Sequence, residues 1–240
     1  VPRIIQIGGV CSGHCPSFAV HTVPRSGGPS HSLVVSGALQ SNTLHRHSRV
    51  DDTMKLSTPR LQPGACFIAG VGALTAGGNG VDSLMSTRHC ELFPLENTGS
   101  SLSNGHTVVL DPLNRCRAGH AIVTVQGKAY AVGGKGMGEP YRHIERFDPA
   151  VDNLATSSSS NTAMERMERN IGCVVRGKWS LLDHHDQLMN HGRFKSGVAA
   201  TDTAIWVCGG QTGPRLVTLS SVEVFDVSAG RWHTGPELPY

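Results

Sequence analysis

Long apolar runs are missing from this chain, and so are most features that assign a sequence to a class of function. No stretch approaches the roughly 20 apolar residues that a bilayer-spanning helix requires, so no membrane segment is expected. The formal net charge is only +3 over 240 residues, which gives no electrostatic case for a nucleic-acid partner. Apolar residues make up 38% of the chain and aromatics 5%. So lean a composition fits small units joined by turns better than one thick core. Val1 to Gly9 is too short and too promptly patterned for an export signal, and no Asn-x-Ser/Thr acceptor occurs. The seven cysteines are odd in number, and Cys66, Cys173 and Cys208 fall inside apolar runs, where a free thiol acts as a small hydrophobe. A reduced compartment is expected, the cytoplasm or the nucleus.

Catalytic patterns are equally sparse. There is no Gly-x-Ser-x-Gly elbow. Gly134-Lys-Gly-Met-Gly138 has the look of a phosphate loop, but no helix follows to supply the N-terminal dipole. Cys11, His14 and Cys15 group three zinc-ligand types without the second pair that a zinc site needs. Asp183-His184-His185-Asp186, with His191 nearby, is the densest cluster of ligating side chains. It follows Leu181-Leu182, where an exposed turn is expected, and the bland reading is a solvated turn. No catalytic residue, metal or cofactor is expected.

What the chain does have is a repeat. Ala121 to Pro149 and Val198 to Trp232 follow one plan. An apolar run reaches an aromatic (Tyr130, Trp206) and a glycine pair (Gly133-Gly134, Gly209-Gly210). A polar loop then leads to a short strand closing on Phe147-Asp148 or Phe225-Asp226. Weaker copies end at Gly8-Gly9 and Gly77-Gly78, and another, started by Arg169, runs to Trp179 and Leu182, where Asp183-His184 replaces the glycine pair. Self-similarity on this scale marks a repeat architecture. The runs are short, β-branched or aromatic, and bounded by Gly, Pro, Ser and Asn, which makes them strands. The glycine pairs are read as structural turns needing positive φ. An arginine introduces each run, at Arg25, Arg60, Arg117, Arg169 and Arg193.

Arg-x-x-x-Gly, a strand, aromatic-x-x-Gly-Gly, Glu-x-Phe-Asp and a later Trp together resemble the kelch repeat. Arg193 to Trp232 matches best, then Arg117 to Pro149. The resemblance implies an all-β fold: a single β-propeller over residues 1–240, of about six four-stranded blades. Successive arginines stand 35, 57, 52 and 24 residues apart, whereas a blade takes about 40–50, so two blades are expected to be short or incomplete. The chain opens in the second strand of one unit and stops just after the fourth of another, which reads as a piece of a longer chain.

The resemblance also implies a function. In kelch-type substrate adaptors, arginines at the lead-in to the first strand point into the central mouth and grip acidic peptides. Arg60, Arg117, Arg169 and Arg193 match that position, and Arg146 matches a second one in HIERFDP. The expected activity is therefore binding, not catalysis. The partner is a protein with an acidic segment, and the propeller alone is monomeric. The alternative is a metal-dependent isomerase or lyase using Asp183, His184, His185 and Asp186.

Overall fold

The computed structural model describes residues 17–22, 31–36, 56–58, 60–80, 85–94, 107–153 and 173–239. Nearly all of its regular structure is antiparallel strand. Ser17–Thr22 pairs with His31–Ser36 as a hairpin. Most of the remainder builds three four-stranded antiparallel meanders, and two-residue ladders join Arg60–Leu61 to Asn79–Gly80 and Gln211–Thr212 to Val217–Thr218. The first sheet holds Gly64–Ile68, Gly72–Ala76, Cys90–Pro94 and Val108–Leu110. The second holds Ala121–Val125, Lys128–Val132, Ile144–Asn153 and Cys173–Leu182. The third holds Gly197–Ala200, Ala204–Cys208, Val222–Asp226 and Arg231–Thr234. In the second sheet the first two strands are joined by Gln126 (φ 50°) and Gly127 (φ 76°). Two positive φ values make a primed turn, whose twist matches that of the strands it joins.

The meanders stack face on face, as the blades of a propeller do. Alternation along each strand sends one row of side chains to either neighbour. Leu74 and Leu92 of the first sheet meet Ile122, Ala131, Phe147 and Trp179 of the second. Its opposite row, with Tyr130, Val132 and Ile144, meets Ile205, Val207 and Phe225 of the third. In both the second and the third sheet the third-strand Phe faces the fourth-strand Trp across the register. The Phe147–Trp179 and Phe225–Trp232 ring centroids are each 5.2 Å apart, a tilted geometry that aromatic quadrupoles favour. The third sheet's outward row is less covered. Trp206 stands where the second sheet has Tyr130, yet it is 38% exposed against 3%.

Two expectations are corrected here. Cys173–Leu182 is the fourth strand of the unit headed by Arg117, not the opening of another. No glycine pair follows Leu182 because no turn from a second to a third strand lies there. The intervals of 52 and 24 residues are thus one unit of 76. Among the described residues there are three complete units, headed by Arg60, Arg117 and Arg193. Arg25, Arg169 and Gly8-Gly9 lie outside those residues.

All three described glycine pairs have positive φ, from 60° to 63° at Gly77, Gly133 and Gly209, and from 89° to 96° at Gly78, Gly134 and Gly210. Their work is more than turning the chain. A Cβ on Gly77 would lie 2.5 Å from the carbonyl oxygen of Arg117, and one on Gly133 would collide with that of Arg193. The absent side chain lets the next unit's arginine backbone approach, and the second glycine then bonds to it: Gly78 N–H to Arg117 O and Gly134 N–H to Arg193 O, each 2.8 Å. Gly127 has positive φ but open space around it. Gly127→Ala should therefore destabilise by about 1 kcal/mol, the left-handed penalty alone. Gly133→Ala adds a backbone collision, and a loss above about 3 kcal/mol is expected. Urea unfolding midpoints of the two variants check the contrast.

Candidate functional site

The arginines that head the units are the first place to look, and the structure puts them inside. Arg60, Arg117 and Arg193 are among its largest fully buried side chains. Each reaches the third strand of its own sheet and pairs with a glutamate two residues before the Phe. Arg60 Nη2 donates to Glu91 Oε1 at 2.8 Å, Arg117 Nη2 to Glu145 at 2.6 Å, and Arg193 Nη2 to Glu223 at 2.5 Å. The Nη1 group of each donates to the carbonyl of the first paired glycine, at Gly77 (3.0 Å), Gly133 (2.7 Å) and Gly209 (2.9 Å). The glutamates accept backbone N–H bonds from the lead-in as well. Ser57, Asn114 and Asn190, each three residues before its arginine, donate to Oε2 at 2.7, 2.5 and 2.6 Å.

Burial disfavours the charged guanidinium and pulls Arg60 and Arg117 below their ordinary range, opposed by Glu91 and Glu145. What makes such a pair tolerable out of water is that the remaining hydrogen-bonding capacity is largely used. Here one arginine ties together the lead-in, the second strand's end and the third strand's start. None of the three side chains faces solvent, so the expectation that they grip a partner is overturned for them. Arg146 is half-buried and bonded to Asp148 at 2.8 Å, and Lys128 bonds the same carboxylate at 2.8 Å. Arg169 lies outside the described residues.

The other candidate cluster does not converge. Asp183, His184, His185 and Asp186 are all exposed, and His185–Gln187 forms a single 3-10 turn. Among the described residues no group of three or more ligating side chains is placed to hold a metal ion. Cys11, His14 and Cys15 lie outside those residues.

The meander topology gathers the lead-ins and the loops between second and third strands at one end of the molecule. That end carries a feature the sequence reading missed. Arg88 and Arg142 occupy one position in adjacent units, three residues before Glu91 and Glu145, and both are exposed. Their carbonyls accept the N–H groups of Leu113 and Met189, each at 2.9 Å, so both backbones are held. Exposed Arg115 stands between them in the lead-in. Among the described residues none of the three arginines is in an ion pair, although Arg142 Nε bonds the Met189 carbonyl at 2.5 Å. Asp111 is the one acid between residues 107 and 117, and the third unit has Ser220 at the matching position. Among the described units this arginine position is thus filled in the first two only. Its sequence signal was the fixed offset from the glutamate.

Removing one partner of a buried pair strands the other, a loss of about 3–5 kcal/mol. Arg117→Ala and Glu145→Ala should each fall in that range by urea titration. The double change Arg117→Met with Glu145→Leu should be milder than either.

Comparison with known proteins bears on the repeat. No curated protein matches the chain. The kelch motif model matches at two places, residues 116–152 and 192–239. Each match starts one residue before a buried arginine, and together they fall on the second and third units. Kelch motifs imply a β-propeller and are generally protein-interaction modules. With a third meander built around the same arginine–glutamate pair, these two matches support a kelch-repeat domain.

Proposed function

We propose that this domain is a protein-interaction module that binds an acidic segment of a partner protein. It does so at the end where the lead-ins gather, through Arg88, Arg115 and Arg142. The observation that carries the reading is the recurrence of Arg88 and Arg142. An exposed arginine with no carboxylate partner among the described residues stands at one position in two neighbouring units, on backbone fixed by the next lead-in. Guanidinium forks suit carboxylates by geometry and charge together. Two of them on separate units give an extended acidic segment two points of attachment. The buried arginines support this indirectly, by holding the loops from which the exposed ones project.

A partly screened contact of this kind contributes about 0.5–1.5 kcal/mol. Arg88→Ala and Arg142→Ala should each weaken binding of the tightest peptide from a set graded in Asp and Glu content by roughly 2- to 12-fold. Affinity should fall as salt rises, since the Debye length is about 10 Å at 0.1 M. The melting temperature should stay unchanged in Arg88→Ala and fall by roughly 2–4 °C in Arg142→Ala, which loses the Nε bond to the Met189 carbonyl. Fluorescence polarisation checks this. Equal binding of acidic and charge-neutralised peptides, or no dependence on salt, overturns the reading.

A further inference from the structure

His120 holds a place where the fold does not require histidine. It stands three residues after Arg117, where the first unit has Pro63 and the third has Ser196. Its side chain is only 7% exposed, and neither ring nitrogen makes a well-aligned hydrogen bond; the one backbone group that favours the protonated ring is at Ala76, and burial and Arg117 outweigh it. Three glycines from two units close around it. A Cβ on Gly64 would come within 2.6 Å of its Nε2, one on Gly77 within 2.7 Å of its Cε1, and one on Gly134 within 2.7 Å of its Cβ. The ring is therefore wedged in the junction between the first and second sheets. That junction is bonded by Gly78 N–H to Arg117 O (2.8 Å) and Gly119 N–H to Gln62 O (3.2 Å). A buried polar group left without a partner asks for an explanation beyond packing.

We propose that the junction between the first two units is an acid-sensitive latch, with His120 as its proton sensor. The charged groups that act on the ring are Arg117 and then Arg60. Both are cations, each paired with its own glutamate, and neither offers an acceptor to an imidazolium. Lys135, bonded through its backbone to Ala118, adds a third positive residue nearby. Gly72–Ala76 contains no titratable residue, and Cys66 on the preceding strand stays protonated because burial pushes its thiol up to about 12. Burial first, and Arg117 second, hold the His120 imidazole well below its usual range. The closed junction therefore takes up no proton where the open one does. With the closed form depressed, its advantage is complete above the ordinary histidine value near 6.5 and is lost progressively as the pH falls below it. The latch is independent of which partner the module binds.

Between pH 7.5 and 5.0 a histidine of ordinary affinity in the open state raises the opening equilibrium about 30-fold. Amide exchange at Gly78 and Gly119 of the whole chain, corrected for intrinsic rates, should show that loss of protection. His120→Ser, which copies the third unit, should not show it. The shared contribution of His143, held at about 4 by burial and then Arg117, cancels between the two proteins. If the serine variant does not fold, His120→Asn takes its place. A titration of the His120 Cε1–H resonance in the unaltered protein provides a second readout. Protection that falls equally in protein and variant, no change in protection, or a His120 resonance titrating near 6.5 in the closed state each overturns the proposal.

Discussion

The buried arginine–glutamate pair is the contact on which the rest of this molecule depends. A four-stranded meander has a weak point where the chain crosses from one unit to the next, because the lead-in is tied by no more than a two-residue ladder, Arg60–Leu61 with Asn79–Gly80, or a single bridge, Ala118 with Lys135 and Phe194 with Gln211. In each described unit a guanidinium fills that gap. It bonds the third-strand glutamate and the glycine carbonyl at the second strand's end, while the glutamate holds the lead-in by its N–H groups. Ionic groups of this kind are poor stabilisers compared with apolar packing. Their value here is positional. They fix three loops at one end of the sheet, and the exposed arginines inherit that rigidity.

Much of the fold was legible because local signals agreed with one another. The glycine pairs, the aromatic before them and the Glu-x-Phe strand recur with the spacing that the sheets require. The number of units was not legible. The fourth strand of the second sheet carries Trp179, and an aromatic followed by apolar residues is equally what a second strand presents. Pairing partners are long-range, and Ile144–Asn153 meets Cys173–Leu182 only across residues 154–172.

The site was harder to read, for a chemical reason. An arginine repeated by position is what either a binding ring or an internal brace would show. The residues that discriminate between the two flank each arginine and its glutamate. Leu56, Leu113 and Met189 stand four residues before Arg60, Arg117 and Arg193, and all three are buried. Arg25 has His21 at that offset, and Arg169 has Glu165. Glu91, Glu145 and Glu223 each precede a Phe by two residues. A buried apolar anchor on one side and a glutamate in the third strand on the other mark an arginine that turns inward.

Each of these braces also imposes an order on synthesis. The glutamate follows its arginine by 31, 28 and 30 residues in the three units. At about 5–20 residues per second on the ribosome, the guanidinium waits roughly 1.4–6 s for its counter-charge. During that interval the first two strands can pair, but the lead-in cannot be sealed, because an unmatched cation resists leaving water. The third strand therefore closes each unit as it emerges. The carbonyl of the next arginine, which accepts the glycine N–H, then docks onto a neighbour that is already complete. A nascent chain arrested between an arginine and its glutamate would hold an unmatched cation and an open sheet edge, once for each unit.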